Sequence, residues 1–458
     1  MIKRVLVANR GEIAARIIRA CRDMNIETVA VYSQADRGAL FVTLATKSVC
    51  IGGSRPAESY LNQRNIVAAA LGTRCDAVHP GFGFLSENPD FAQLVEEQGL
   101  AFIGPPAPVI RKMGDKSAAR ALMKACGVPV VPGSDGIVTD AGQAKDAAKA
   151  LGYPVLIKAR AGGGGRGIRS AQNEAEVGPA FEAATAEASA AFGDGAVYLE
   201  KLIHNPRHIE VQILADCRGS VVQLGERECS LQRRNQKILE EAPSRGVDAA
   251  LRQRMGDAAV RAAKAAGYRN AGTVEFVLDG AGNFYFIEMN TRIQVEHPVT
   301  EMVTGIDLVR EQIRIASGAS LEYGQEDIKI SGHAIECRIN AEDPENGFAP
   351  CRGVVDYLHL PGGYGVRVDT ALFTGCEISP YYDSMIAKVI VHGRNRNEAI
   401  YRMRRALEEF IVKGIRTNLG LQYMILYHPD FMRGHYDTGF LENNLARLLA
   451  PIEKGMML

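Results

Sequence analysis

The 458-residue sequence is 47% hydrophobic, too long for one compact core and long enough for several domains with shared interfaces. Its 53 Lys and Arg balance 53 Asp and Glu, so no overall field favours nucleic acid or an anionic membrane as partner. Nine scattered cysteines without a CxxC pair argue against a disulfide framework and a zinc site, and a cytoplasmic location is expected. The opening MIKRVLVANRGE lacks the apolar core of a signal peptide, and no apolar run is long enough to span a membrane.

In chain order, residues 3–8, 28–32 and 76–79 are short apolar runs separated by helical patterns such as EIAARIIRACRDM and RNIVAAALGT. This βαβ alternation predicts an α/β fold opening with a parallel, Rossmann-like domain over residues 1–113. The first turn is NRGE, not a Gly-rich dinucleotide loop, so this domain need not bind a nucleotide itself. A second domain is expected over 114–317, beginning with the helical run MGDKSAARALMKACG and a strand PVLIK that enters a glycine cluster. Residues 197–240 alternate apolar runs with charged turns, and 273–296 predict a long antiparallel hairpin. After a break near Gly318 to Gly332, GHAIECRI, VVDYLHL, GVRVD and SMIAKVIVHG predict a mostly β C-terminal domain over 331–438, closed by the helix NEAIYRMRRALEEF.

Two segments carry chemistry. In TVEFVLDGAGNFYFIEMNTRIQVE, a turn centred between Ala281 and Gly282 sets Glu275 opposite Glu288, with Cβ atoms roughly 4.5–5.5 Å apart. Like charges so placed repel unless both face solvent or a cation lies between them, and oxygen ligands favour magnesium. If the second strand stays extended, Glu288, Asn290, Arg292, Gln294 and Glu296 share one face, with Met289, Ile293 and Val295 behind. Two acids, two amides and an arginine in register with an opposing acid suit a site for a metal, an anion and a base. In VLIKARAGGGGRGIR, Lys158 ends a strand and Gly162 to Gly165 leave backbone N–H groups free to approach phosphate oxygens. Gly162, Gly164 and Gly167 satisfy GxGxxG, but no helix opens directly after them, and the absence of any GK dipeptide excludes a Walker loop.

Together with GDK at 114–116, these segments resemble the ATP-grasp superfamily and, within it, biotin carboxylase. HPGFGFLSEN, EKLIHNPRHIEVQ, ERECSLQRRNQK, EEAPS, NTRIQVEHPVTEM, ECRINAEDP and PYYDSMIAK occur in that family's order, and the resemblance runs from Met1 to about Leu445. It implies an ATP-grasp core with a mobile glycine-rich lid over about 132–203. It further implies that Lys116 and Lys158 hold ATP phosphates, that Gly164 and Gly165 close over them, and that Glu200, Lys201 and Ile203 frame the adenine. His208, Gln232 and Asn235 fall near the ribose. Glu275, Glu288 and Asn290 carry magnesium or manganese, the two glutamates thereby also contacting ATP. Lys237, Arg292, Gln294 and Val295 hold bicarbonate, Glu296 removes its proton to give carboxyphosphate, and Arg338 binds biotin and stabilises its enolate.

The implied partners are a biotin carboxyl carrier protein and a carboxyltransferase subunit, with a second copy of this chain as a homodimer. ALMKAC at 121–126 only partly matches a biotin acceptor and lies in a predicted helix, so biotin is expected on another chain. The sequence departs from the family pattern at Asn235, where many acetyl-CoA carboxylase subunits carry His, at Arg160 and Ala161, and at Phe82 in place of Tyr. A carboxylate–amine ligase of the same superfamily is the alternative.

Overall fold

The computed structural model of the protein describes residues 2–160 and 167–450. Its N-terminal part is a parallel sheet of five strands, Lys47–Gly52, Glu27–Ser33, Arg4–Val7, Ala77–His79 and Ala101–Phe102 in spatial order. Alternation along the first strand feeds two cores. Val5 and Val7 pack with Ile13, Ile17 and Ile18 of helix Gly11–Asp23, while Leu6 and Ala8 pack with Ile66, Val67 and Phe91 on the other face. A parallel sheet covered on both faces produces unbroken apolar runs, which is why its central strands are readable. The edge strand Lys47–Gly52 is largely exposed, and its apolar run is only Val49 to Ile51. Strand order reverses between Arg4–Val7 and Ala77–His79, and crevices at such switch points take ligands. There Asn9 Nδ2 donates to the carbonyls of Pro80 at 2.6 Å and Phe82 at 2.8 Å, closing the crevice wall.

The largest sheet has eight antiparallel strands in the order Phe284–Asn290, Asn270–Leu278, Arg207–Ala215, Val221–Arg233, Gln236–Ala242, His333–Asn340, Met385–Gly393 and Val366–Thr370. Helix Ala249–Ala266 covers it with Leu251, Met255, Ala259 and Ala263, against Ile209, Val211 and Ile213. The predicted helical run around Met113 is two helices, Ala107–Gly114 and Lys116–Ala125. Asp115 separates them and caps the second, its Oδ1 accepting from the amides of Ser117 at 2.9 Å and Ala118 at 3.0 Å. ALMKAC is therefore helical.

A three-stranded antiparallel sheet, Ile168–Ala171, Val155–Ala159 and Val197–Lys201, is backed by helices Ala141–Leu151 and Glu174–Phe192. A strand, not a helix, therefore leads away from the glycine cluster on its C-terminal side. The proposed phosphate loop, Gly164 and Gly165 included, lies outside the described residues. The C-terminal part carries the expected strands, except that VVDYLHL is split into Gly353–Val354 and Tyr357–His359 in two small sheets, and helix Arg396–Glu409, then helices Leu419–Tyr427, Pro429–Arg433 and Phe440–Leu448 beyond it. Among the described residues, no helix is long and apolar enough to cross a membrane.

Candidate active site

The hairpin sets its two acids opposite each other by a route the simple turn does not supply. Phe276 pairs with Phe286 but Glu275 pairs with Glu288, so Ile287 is an extra residue on the second strand. This bulge shifts the register by one place. Without it, the tight turn at Asp279–Asn283 would set Ile287 against Glu275 and send Glu288 to the other face. The extended-strand expectation fails after Asn290, where the strand ends and the chain turns into helix His297–Thr304. Gln294 nevertheless returns to the hairpin, its Nε2 donating to Glu275 Oε1 at 2.8 Å and Glu210 Oε2 at 3.3 Å. Val295, whose side chain was expected behind the sheet and whose backbone was expected at bicarbonate, lines the cavity.

That cavity, about 890 Å³, lies between the N-terminal switch point, the hairpin and strand His333–Asn340. Of the expected site residues, Lys116, His208, Gln232, Asn235, Lys237, Glu275, Glu288, Asn290, Arg292, Gln294, Val295 and Arg338 line it. Lys158, Glu200, Lys201 and Ile203 do not, and neither does Glu296, which is fully buried. Lys158 Nζ pairs with the buried carboxylate of Glu200, whose other oxygen takes Arg120 NH1 at 2.9 Å. Lys201 Nζ donates to the carbonyls of Gly152 and Tyr153, both at 2.8 Å. Asn235 and Arg234 are the two central residues of the hairpin between Arg233 and Gln236, at φ +64° and +48°. Asn tolerates this left-handed backbone well, which gives the departure at 235 a local conformational reason.

Beneath the cavity floor, Lys237 Nζ contacts three carboxylates: Glu210 Oε2 at 2.6 Å, Glu296 Oε1 at 2.7 Å and Glu275 Oε1 at 2.9 Å. Burial opposes the Lys237 charge, but Glu210, Glu275 and Glu296 outweigh it and hold its pKa well up. Glu296 is 0% exposed, and its other oxygen lies 2.9 Å from Arg338 NH2. Burial pushes its pKa up, yet Lys237, Arg338 and Arg227 together hold it well below the usual carboxylate range. It is ionised at neutral pH, with one cation on each oxygen.

Several contributors were not singled out by sequence. Arg227, also 0% exposed, pairs with Glu210 and donates to Gln212 at 2.7 Å, Thr300 at 2.9 Å and Thr273 at 3.1 Å. Glu240 holds Arg338 through Nε at 2.7 Å, and burial pushes its pKa up to about 7 against the pull of that arginine. Glu87, inside the quoted HPGFGFLSEN, takes Arg292 Nε at 3.0 Å and the Thr291 amide at 3.0 Å. An acid in a quoted motif was a usable signal for Glu87. Arg227 in ERECSLQRRNQK and Glu240 in EEAPS carried the same signal, but nothing in the sequence pointed to their partners.

The donor set suits a hard cation. Asn290 Oδ1, the Glu275 carboxylate and the Glu288 carboxylate are all oxygen donors on one hairpin end. Burial pushes the Glu275 pKa up, yet Lys237 and His208, whose Nε2 lies 2.9 Å from Glu275 Oε2, hold that carboxyl below the usual range. Glu288 meets only Lys116 among the described residues, at 3.5 Å. It stands apart from the tighter group of His208, Glu210 and Glu275, whose ligand atoms lie within 4.8 Å of one another.

Family models match the chain in three consecutive stretches. Residues 1–110 match "Biotin carboxylase, N-terminal domain", 115–323 "Carbamoyl-phosphate synthase L chain, ATP binding domain", and 336–443 "Biotin carboxylase C-terminal domain". Biotin carboxylase 1 of Bacillus subtilis is 56% identical over 443 residues, covering 96% of this chain and 98% of its own. The chain belongs to the biotin carboxylase family. Among its biotin carboxylase relatives, the 2-oxoglutarate carboxylase small subunit of Hydrogenobacter thermophilus is 53% identical over 97% of this chain and 94% of its own. The solved biotin carboxylase domain dimer of that organism's enzyme, in complex with MgADP, ADP and bicarbonate, superposes with a TM-score of 0.95. It is 52% identical and covers 99% of this chain and 100% of its own.

Proposed function

We propose that this chain is the ATP-dependent biotin carboxylase of a multi-subunit carboxylase: it activates bicarbonate as carboxyphosphate and carboxylates biotin on a separate carrier protein. A carboxyltransferase subunit then passes the carboxyl group on, the chain works as a homodimer, and nine free cysteines are in keeping with a cytoplasmic enzyme. The observation that carries this proposal is Glu296, held between Lys237 and Arg338 on the neighbouring strands Gln236–Ala242 and His333–Asn340. A carboxylate–amine ligase has use for the nucleotide residues but none for a buried base tied to both that lysine and that arginine.

Lys116 and Lys158 supply charge for the ATP phosphates, with Glu200, Lys201 and Ile203 at the adenine and His208, Gln232 and Asn235 at the ribose. Glu275, Glu288 and Asn290 would hold magnesium, which when bound neutralises phosphate charge as the phosphoryl group transfers. Arg292, Lys237, Gln294 and the Val295 amide orient bicarbonate, and Glu296 takes its proton. Arg338 leaves Glu240 and Glu296 to meet charge developing on the biotin ureido oxygen. ADP release that rises on addition of bicarbonate, together with carboxylation of free biotin, is the expected assay result. Turnover that needs an amine and ignores bicarbonate would overturn the assignment.

Glu288→Gln is expected to shift the magnesium dependence of ATP cleavage to higher concentration while moving stability by no more than about 0.5 kcal/mol, since its carboxylate is over a third exposed. Activity measured across a magnesium titration, beside the thermal midpoint, checks this. An unchanged titration in a folded variant removes Glu288 from the metal set.

A further inference from the structure

Two successive peptide groups on the cavity floor are gripped from their buried side. The Gln294 carbonyl lies 2.8 Å from His297 Nδ1, and the Val295 carbonyl accepts from Lys388 Nζ at 2.8 Å. Both side chains are 0% exposed. A trans peptide points its N–H away from its C=O, so the Val295 and Glu296 amides are turned the other way, to the side on which Val295 lines the cavity. Consecutive N–H groups presented together make an anion-binding concavity.

Each grip is specific to its side chain. Burial, together with Lys388, Arg16 and Arg367, pushes the His297 pKa well down, so the ring is neutral. A neutral ring facing a carbonyl through Nδ1 must carry its proton there, and Nε2 has no hydrogen-bond partner. Lys388 stands between Arg338 and Asp369 on neighbouring strands. Its Nζ lies 3.2 Å from Glu12 Oε1 and 4.0 Å from Asp369 Oδ2. Burial opposes its charge, but Glu12, Glu336 and Asp369 keep it protonated. A lysine needed only to neutralise buried acids has no reason to spend its shortest contact on the one carbonyl that precedes Glu296.

We propose that His297 and Lys388 are positioning residues for bicarbonate: by clamping the Gln294 and Val295 carbonyls they aim the Val295 and Glu296 amides as a two-amide cradle beside Arg292 and Lys237. This deepens the biotin carboxylase assignment and rests on it. The cradle fixes the anion within reach of Glu296, while the ATP phosphates lie on the Lys116 side of the hairpin. Disturbing the clamp therefore acts on bicarbonate and spares the nucleotide.

The test measures initial rates of ATP cleavage against bicarbonate and, separately, against MgATP, with thermal midpoints recorded for every variant. Lys388→Met is made together with Glu12→Gln, which removes the acid nearest the lysine Nζ. The double variant and His297→Leu are each expected to raise KM for bicarbonate about tenfold, with KM for MgATP within about twofold, as loss of an aligned charge-assisted or buried hydrogen bond implies. Lys388→Arg and His297→Asn keep a donor at the same place and are expected to restore most of the bicarbonate affinity. An unshifted bicarbonate KM in a folded double variant, or equal rises in both KM values, overturns the proposal. If the lysine variants do not fold, His297→Leu decides it, and a bicarbonate KM equal to wild type overturns it. Wild-type ATP cleavage that ignores bicarbonate would instead overturn the assigned reaction, which keeps the two failures apart.

Discussion

Glu296→Ala is expected to lose bicarbonate-dependent ATP cleavage and biotin carboxylation together, whereas Arg338→Ala is expected to lose the second and keep part of the first. The reason is the order of events: the carboxylate acts before carboxyphosphate forms, and the guanidinium acts when biotin gives up its ureido proton. Loss of a group that serves one transition state costs about 3–4 kcal/mol, or roughly 10²–10³ in rate, at that step. The contact between Arg338 NH2 and Glu296 Oε2 adds a second expectation. Without the arginine, one of the cations that hold the Glu296 pKa down is gone while its burial remains, so the pKa moves up. The acid limb of ATP cleavage then moves to higher pH in Arg338→Ala. Rates of both half-activities across pH 5 to 9 test the two expectations. Equal loss of both activities in a folded Arg338→Ala would place the arginine in the phosphate site.

Lys237→Met is expected to abolish turnover and to destabilise the protein by about 3–5 kcal/mol, the usual cost of removing one partner from a buried ionic cluster. Three carboxylates meet at this ammonium, and Arg227 and Arg338 reach only Glu210 and Glu296. In the wild type, Glu275 and Glu296 have folded pKa values below their unfolded ones, so their contribution is present above about pH 4.3 and fades as pH falls through the folded values. Without Lys237, burial dominates and raises the folded pKa of Glu275 in particular. A carboxyl raised in the folded state contributes stability that is full below its unfolded pKa and lost as pH rises through the folded one. The variant is therefore expected to gain stability on acidification from pH 8 toward pH 5. Thermal midpoints of wild type and variant across that range measure the difference, and parallel profiles would show that Lys237 does not hold these carboxylates.

The central strands of the N-terminal sheet, the hairpin and the helix at 396–409 were legible because each carries its own period and its own turn residues. The pairing of Glu275 with Glu288 was also legible, though for an incomplete reason, since the bulge at Ile287 leaves no mark in composition. Alternation from Glu288 to Glu296 put the right residues together under a wrong premise. The chain leaves the sheet after Asn290, and the turn into helix His297–Thr304 brings Gln294 and Glu296 back. Arg227 and Glu210 were illegible because their partnership is a cross-strand match, set by which strand lies beside which. Glu240 and Glu336 face each other in the same way, two buried acids whose proximity only the assembled sheet reveals.

The eight-stranded sheet is not made from one continuous stretch of chain. Strand Gln236–Ala242 finds its outer neighbour in His333–Asn340, and the row is completed by Met385–Gly393 and Val366–Thr370. During synthesis from the N-terminus, the five strands from Arg207 to Asn290 leave the ribosome with one side of Gln236–Ala242 still open. An open row of backbone donors and acceptors is a template for another nascent chain. The charges along this strand, Lys237, Glu240 and Glu241, are of the kind that discourages such pairing, and in the finished fold Lys237 and Glu240 belong to the site while Glu241 is taken by His333 and Arg396.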